Sequence, residues 1–237
     1  MTGRDLRIAK TLITVGRQEP VDWGYNVTRR KDANKFLFTC SMDYQMNGDT
    51  VWQNANWFIV SVLGDPKDLW ATVREWSESK WWALCQKNSL HRFPQAWERI
   101  WRIAGEVEAQ YKGDARRIWR SADGPVGVIE SLESIGFGPQ LSRMTAGALK
   151  DQGQISGSSV VKADLHVRRV VGRIMNGESV SAQRATELTK RLYPRDPWQL
   201  DRGLFLLGKT TCRPTPVCTE CLMNRECTFS RSQQKTA

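Results

Sequence analysis

Along the chain, apolar residues recur at intervals of three and four, and period-2 alternation of β-branched residues is scarce. The pattern predicts helix after helix. A first amphipathic helix over 5–16 is capped by Asp5 and carries Leu6, Ile8, Ala9, Leu12, Ile13 and Val15 on its apolar face. A basic connector over 17–31 follows, with Pro20, Gly24 and the run Arg29-Arg30-Lys31. A second helix over 32–46, capped by Asp32, carries Phe36, Leu37, Cys40, Met42 and Tyr44, and Gly48 suits its stop. Asp49 then caps a third helix over 50–63, and the short β-branched run around 59–62 falls inside that helical pattern. Asp65-Pro66 reads as a further start, with Asp at N-cap and Pro at N1, leading into Leu69, Trp70, Val73 and Trp76. Another short helix is expected over 79–88. Pro94 opens a long one over 95–111, with Trp97, Ile100, Trp101, Ile103, Ala104 and Val107 on one face. Short helices over 114–121 and 125–134 follow. The Trp residues recur at helical spacing, so most belong to a core, with one or two left as candidates to line a pocket.

Composition narrows the function classes. A formal charge of +10 on 237 residues points to a polyanionic partner. No apolar run approaches the ~20 residues of a spanning helix, so no membrane role is expected, and the first residues lack the apolar stretch of a signal peptide. Four of the six Cys lie between 212 and 227, which fits a metal or cluster site in a reducing compartment better than a disulfide framework. An intracellular, cytoplasmic or nucleoid location follows. Cys40 and Cys85, in apolar surroundings, read as buried thiols.

Three signals stand in order in the second half. The first is Ile135-Gly136-Phe137-Gly138-Pro139-Gln140, a helix, a tight glycine turn and a helix starting at Pro139. Such a turn allows close approach of another backbone, and the exposed N–H groups of the second helix suit a phosphate. An ordinary helix corner is the alternative. The second is Asp164, opening a helix with Val167, Val170, Val171 and Ile174 inward. It is an N-cap, and equally a fixed, ionised carboxylate of the kind that assists glycosidic cleavage. The third is Cys212-x5-Cys218-x2-Cys221-x5-Cys227. Zinc suits four thiolates, but one Cys-x2-Cys pair flanked by single Cys fits a loop around a [4Fe–4S] cluster better. Arg213, Arg225 and Lys209 make this loop basic.

On these residues the sequence resembles the helix-hairpin-helix DNA glycosylases of the endonuclease III type, best from about 125 to 227. The Gly-x-Gly hairpin, the segment Ala163-Asp164-Leu165-His166-Val167-Arg168-Arg169, Leu207-Gly208-Lys209 and the cluster loop carry the resemblance. The first cluster gap is one residue shorter than the family's. The resemblance implies an all-α protein of two helical lobes with a DNA-binding cleft between them: 30–145, ending in the hairpin, and 1–29 with 146–237, including the cluster loop at 205–229. It implies a monomer acting on double-stranded DNA with a damaged, mismatched or modified base. It gives Asp164 the catalytic role, and DNA contacts to Gln45, Gly136, Phe137, Gly138, Arg143 and Lys209. It makes Cys212, Cys218, Cys221 and Cys227 the metal ligands. Tyr44 and His166 are candidate base-pocket residues, and Asp43 is a candidate second carboxylate. Strand-cleaving members carry a Lys two residues after the second hairpin glycine; Gln140 stands there. That departure implies a monofunctional enzyme with weak or absent lyase activity.

Overall fold

The computed structural model describes residues 2–236. In chain order the α-helices are α1 (Gly3–Gln18), α2 (Arg30–Met42), α3 (Gly48–Trp57), α4 (Leu69–Arg74), α5 (Glu78–Lys87), α6 (Pro94–Tyr111), α7 (Arg116–Arg120), α8 (Gly124–Ser134), α9 (Pro139–Asp151), α10 (Leu165–Asn176), α11 (Ala182–Leu192), α12 (Asp201–Lys209) and α13 (Thr228–Thr236). No strand occurs among the described residues. No described helix is long and apolar enough to cross a membrane.

The helix starts correct several expectations. Thr2, not Asp5, caps α1: the Thr2 side chain accepts from the Asp5 N–H, and the Asp5 carboxylate accepts from the Thr2 N–H at 3.0 Å. Asp32 lies in the first turn of α2 rather than at its cap, and α2 stops at Met42, four residues early. Asn47, not Asp49, caps α3, and Gly48 begins that helix instead of ending the one before. Asp65 caps nothing. It adopts a left-handed backbone, φ +53°, and its carboxylate sits between the Lys31 and Lys35 ammonium groups at 2.6 and 2.5 Å. Two cations outcompete a cap. The chain from α3 does continue helically to residue 62, but Phe58–Val62 is a π-helical turn, closed by the Leu63 N–H on the Phe58 carbonyl at 3.0 Å. Trp57 and Val60 point outward there, 47% and 43% exposed.

The chain divides into two compact units. One comprises Trp23–Ser156, the other Met1–Asp22 with Gly157–Ala237. The continuous unit is built on aromatic packing. Trp81, fully buried, meets Phe58 edge-on at 5.7 Å between centroids and donates its indole N–H to the Trp97 carbonyl at 2.9 Å. Phe36, Phe38, Trp70 and Ile100 complete its centre. In the discontinuous unit α1 lies on α12, where a Cβ on Gly203 would collide with the Leu12 carbonyl. Ile8, Leu12, Val167, Val171, Leu188, Leu204 and Leu207 form its core.

Candidate nucleic-acid and catalytic site

In the continuous unit, α8 and α9 are joined by the glycine hairpin. The Gly136 and Phe137 N–H groups close α8 on the carbonyls of Glu133 and Leu132, both at 3.0 Å. Gly136 is required twice over. Its φ is +106°, and a Cβ there would lie 2.9 Å from the Arg102 guanidinium. Gly138 has an ordinary extended backbone, φ −78°, and caps α9 without a side chain. Nothing lies within 4 Å of where its Cβ would be, so its value is open space. The Phe137 ring is buried in the core. Pro139 has no N–H. Those of Leu141 and Ser142 turn back to the Gly138 carbonyl, both at 3.0 Å. The N–H groups of Gly138 and Gln140 bond to no described residue. The Ser142 hydroxyl donates to Glu133 Oε1 at 2.9 Å and ties the two helices together. Gln140 is half-buried on the first turn of α9, its Oε1 enclosed without a partner among the described residues. Arg143 is half-buried one turn on.

The loop 43–47 belongs to the same unit. Exposed Gln45 has a left-handed backbone, φ +49°, at its tip, and Asp43 and Tyr44 are half-buried. The Tyr44 ring meets Phe93 edge-on at 5.9 Å and has the Arg99 guanidinium 5.2 Å from its centroid. His91, buried below, accepts from the Phe93 N–H at Nδ1, and burial holds its pKa below the usual histidine value.

In the discontinuous unit, Asp164 caps α10. Its Oδ1 accepts from the N–H groups of His166 at 2.9 Å and Val167 at 3.0 Å, and Oδ2 makes no hydrogen bond with a described residue. The carboxylate is thus oriented by two amides at the positive end of a helix and partly exposed. His166 packs edge-on against Phe205 at 5.2 Å, and the Arg169 guanidinium lies 3.2 Å from its Nδ1. Lys209 is exposed at the end of α12, with Nζ 5.8 Å from the Phe205 ring centroid.

The four Cys line one small pocket with Val170, Ile174 and Met223. No group of three or more His, Cys, Asp or Glu among the described residues is drawn together tightly enough to hold one ion. The four thiols share one pocket without converging on a point. Burial raises the pKa of Cys212 and Cys227, and Arg173, 3.7 Å from the Cys212 sulfur, acts in the opposite sense on Cys212. Three arginines, none of them singled out by the sequence pattern as an anchor, hold the loop by its carbonyls. Arg173 donates to Arg213 O and Pro214 O at 2.6 and 2.9 Å, Arg169 to Cys212 O at 2.7 Å, and Arg4 to Glu226 O at 2.6 Å. The legible trace is Arg169 and Arg173 at i, i+4 on α10, one helical face aimed at one loop.

Solved structures share this architecture. A trapped endonuclease III–DNA covalent intermediate, the estranged-adenine complex, aligns with TM-score 0.69 at 13% identity, over 99% of this chain and 100% of that one. A thermostable thymine-DNA glycosylase aligns with TM-score 0.68 at 17% identity, over 97% of each chain. The fold is therefore that of endonuclease III. In sequence, endonuclease III of Thermotoga maritima is 29% identical over 110 residues, 46% of this chain and about half (51%) of that relative's length. No protein-family model matches the chain. Fold and sequence match together make the chain similar to the endonuclease III-like helix-hairpin-helix proteins.

Proposed function

We propose that this protein is a monofunctional DNA base-excision N-glycosylase. It flips a damaged, mismatched or modified base out of duplex DNA, because the bond to be cut is out of reach inside the stack. It then hydrolyses the N-glycosidic bond: water adds at C1′, the base leaves with the bonding pair and takes up a proton, and an abasic site remains. The observation that carries the reading is the Asp164 carboxylate. Two backbone amides fix Oδ1 at a helix start, and Oδ2 stays free to accept a proton from water or to stabilise positive charge on the sugar. The free N–H groups of Gly138 and Gln140 suit a backbone phosphate, with Arg143 one turn on, and Gln45, at the tip of its loop, suits the gap left by the flipped nucleotide. Gln140 has no amine to form a Schiff base, so strand cleavage is not part of the activity. The half-buried Tyr44 and Asp43, and His166 near the Asp164 helix start, are the candidate base contacts. Lys209 is a further candidate phosphate contact.

Cys212, Cys218, Cys221 and Cys227 would hold a [4Fe–4S] cluster. Four thiols lining one pocket, with one Cys-x2-Cys pair flanked by single Cys, suit a cluster better than the single zinc that is the alternative. Such a group would supply a rigid basic loop against DNA, and the arginine–carbonyl bonds hold that loop for it.

The test is a base-release screen on duplexes each carrying one altered base, read with and without alkali. Breaks that depend on alkali, lost by about 10²–10⁴-fold in Asp164→Asn with duplex affinity retained, are the expected result. Unchanged release in that variant overturns the assignment of Asp164. Breaks without alkali, trapped by borohydride, overturn the monofunctional reading. Tight binding with no release from any duplex favours a DNA-binding protein on the same fold.

A further inference from the structure

α6 carries two arginines one turn apart, neither in an ion pair with a described residue, though the Glu98 charge acts on Arg99 from a distance. Arg99 is half-buried, and no carboxylate of a described residue lies within ion-pair distance of it. Its partners are the Ser41 carbonyl, at 3.0 Å, and the face of Tyr44. Burial, with the like charge of Arg102 as a further contribution, pulls its guanidinium below the usual arginine value. Arg102 is exposed, is likewise without a carboxylate, and donates to the Gly136 carbonyl at 3.3 Å. A guanidinium partly withdrawn from water beside a second one is costly unless an anion arrives. One of the pair touches the root of the 43–47 loop, and the other touches the hairpin turn. All of these elements belong to the continuous unit. The glycine at 136 leaves room for the Arg102 head, since a Cβ there would meet it at 2.9 Å.

We infer that Arg99 and Arg102 form a phosphodiester-binding bridge on α6, joining the loop of Tyr44 and Gln45 to the glycine hairpin so that both meet one DNA backbone. The inference rests on the DNA-glycosylase reading and adds two contacts that no motif in the sequence marks. Planar guanidinium groups suit a phosphate, and an anion between them offsets their mutual repulsion.

The experiment measures binding of a lesion-free duplex by fluorescence anisotropy across a salt series, for wild type, Arg102→Gln, Arg99→Gln and Arg184→Gln. Arg184 pairs with Glu187 on α11 and serves as the control. Each lost phosphate contact is expected to weaken binding several-fold, equally across sequences, and to reduce the slope of log K against log[salt] by about 1, with the control unchanged. Arg102→Lys should recover most of the slope. Arg102 is exposed, so its variant reports even if Arg99→Gln misfolds. A folded Arg102→Gln protein with wild-type affinity and slope overturns this inference and leaves the glycosylase reading standing. A wild-type protein with no salt-dependent duplex affinity overturns both.

Discussion

The hairpin and the cysteine loop are held by different physics. Phe137 of the hairpin is buried in the same core cluster as the packed aromatics Trp81, Phe58 and Trp97. The cysteine loop has little core of its own. Leu222 is 68% exposed, and the segment is fastened by guanidinium groups on carbonyls and by whatever its four thiols bind. A surface backed by packing is rigid as soon as its unit folds. A surface backed by directional bonds at the solvent edge stays dependent on each bond. The hairpin should therefore be a permanent feature, and the loop a conditional one.

The largest effect that would break this contrast is in the core. Trp81→Ala should cost about 3–5 kcal/mol. Hydrogen exchange should then accelerate throughout 23–156, while α10 and α12 keep their protection; equal loss in both units would mean the two are not separately stabilised. Next comes the loop. Arg173→Gln removes two carbonyl bonds and a contact with the Cys212 sulfur. Discounted for its partial exposure, the loss should be about 1–2 kcal/mol, confined to 210–227 and read as faster exchange or proteolysis there. Smaller still is Ser142→Ala, which removes the bond to Glu133 across the hairpin. It should lower stability by about 1 kcal/mol, seen in denaturant midpoints, and leave the loop untouched.

The smallest effect lies in acid. Lys31 and Lys35, by hydrogen bonds, hold the Asp65 carboxyl below its ordinary range. The folded pKa is thus lower than the unfolded one. The stabilisation is present above the ordinary carboxylate value and is lost as pH falls through the folded value. Asp65→Asn should flatten the acid limb of a stability-against-pH curve by well under about 1 kcal/mol, since the pair is exposed. A steeper acid limb in the variant would contradict the sign.

What was legible in the sequence follows the same divide between local and distant causes. α6 runs from Pro94 to Tyr111, as its Pro and its apolar face predict, because both signals are local. Asp164 capping α10 and the cysteine spacing are equally local. The early end of α2 was not legible. The Tyr44 loop is pinned by Phe93 and Arg99, some fifty residues away, and nothing in 32–46 encodes that. Asp65 looked like a cap because its cations lie thirty residues upstream. The π-helical turn at Phe58–Val62 escaped because a 3.6-residue pattern absorbs one extra residue without visible disruption. Only one of the two hairpin glycines needs its positive φ; the other is explained by space, which composition alone does not distinguish.

The division of the chain has a consequence for how the protein is made. α1 emerges from the ribosome well before the rest of its unit, yet its apolar face of Ile8, Ala9 and Leu12 packs with residues beyond 160. More than a hundred residues must be synthesised before that face has a partner. The intervening stretch, Trp23–Ser156, is uninterrupted and carries its own core, so it can close while synthesis continues. At roughly 5–20 residues per second, α1 waits for many seconds as an unpartnered amphipathic helix, exposed to chaperones and to wrong neighbours. The order of assembly is then inside first and flanks last, with α1 joining its unit only after the segment beyond 157 has been made.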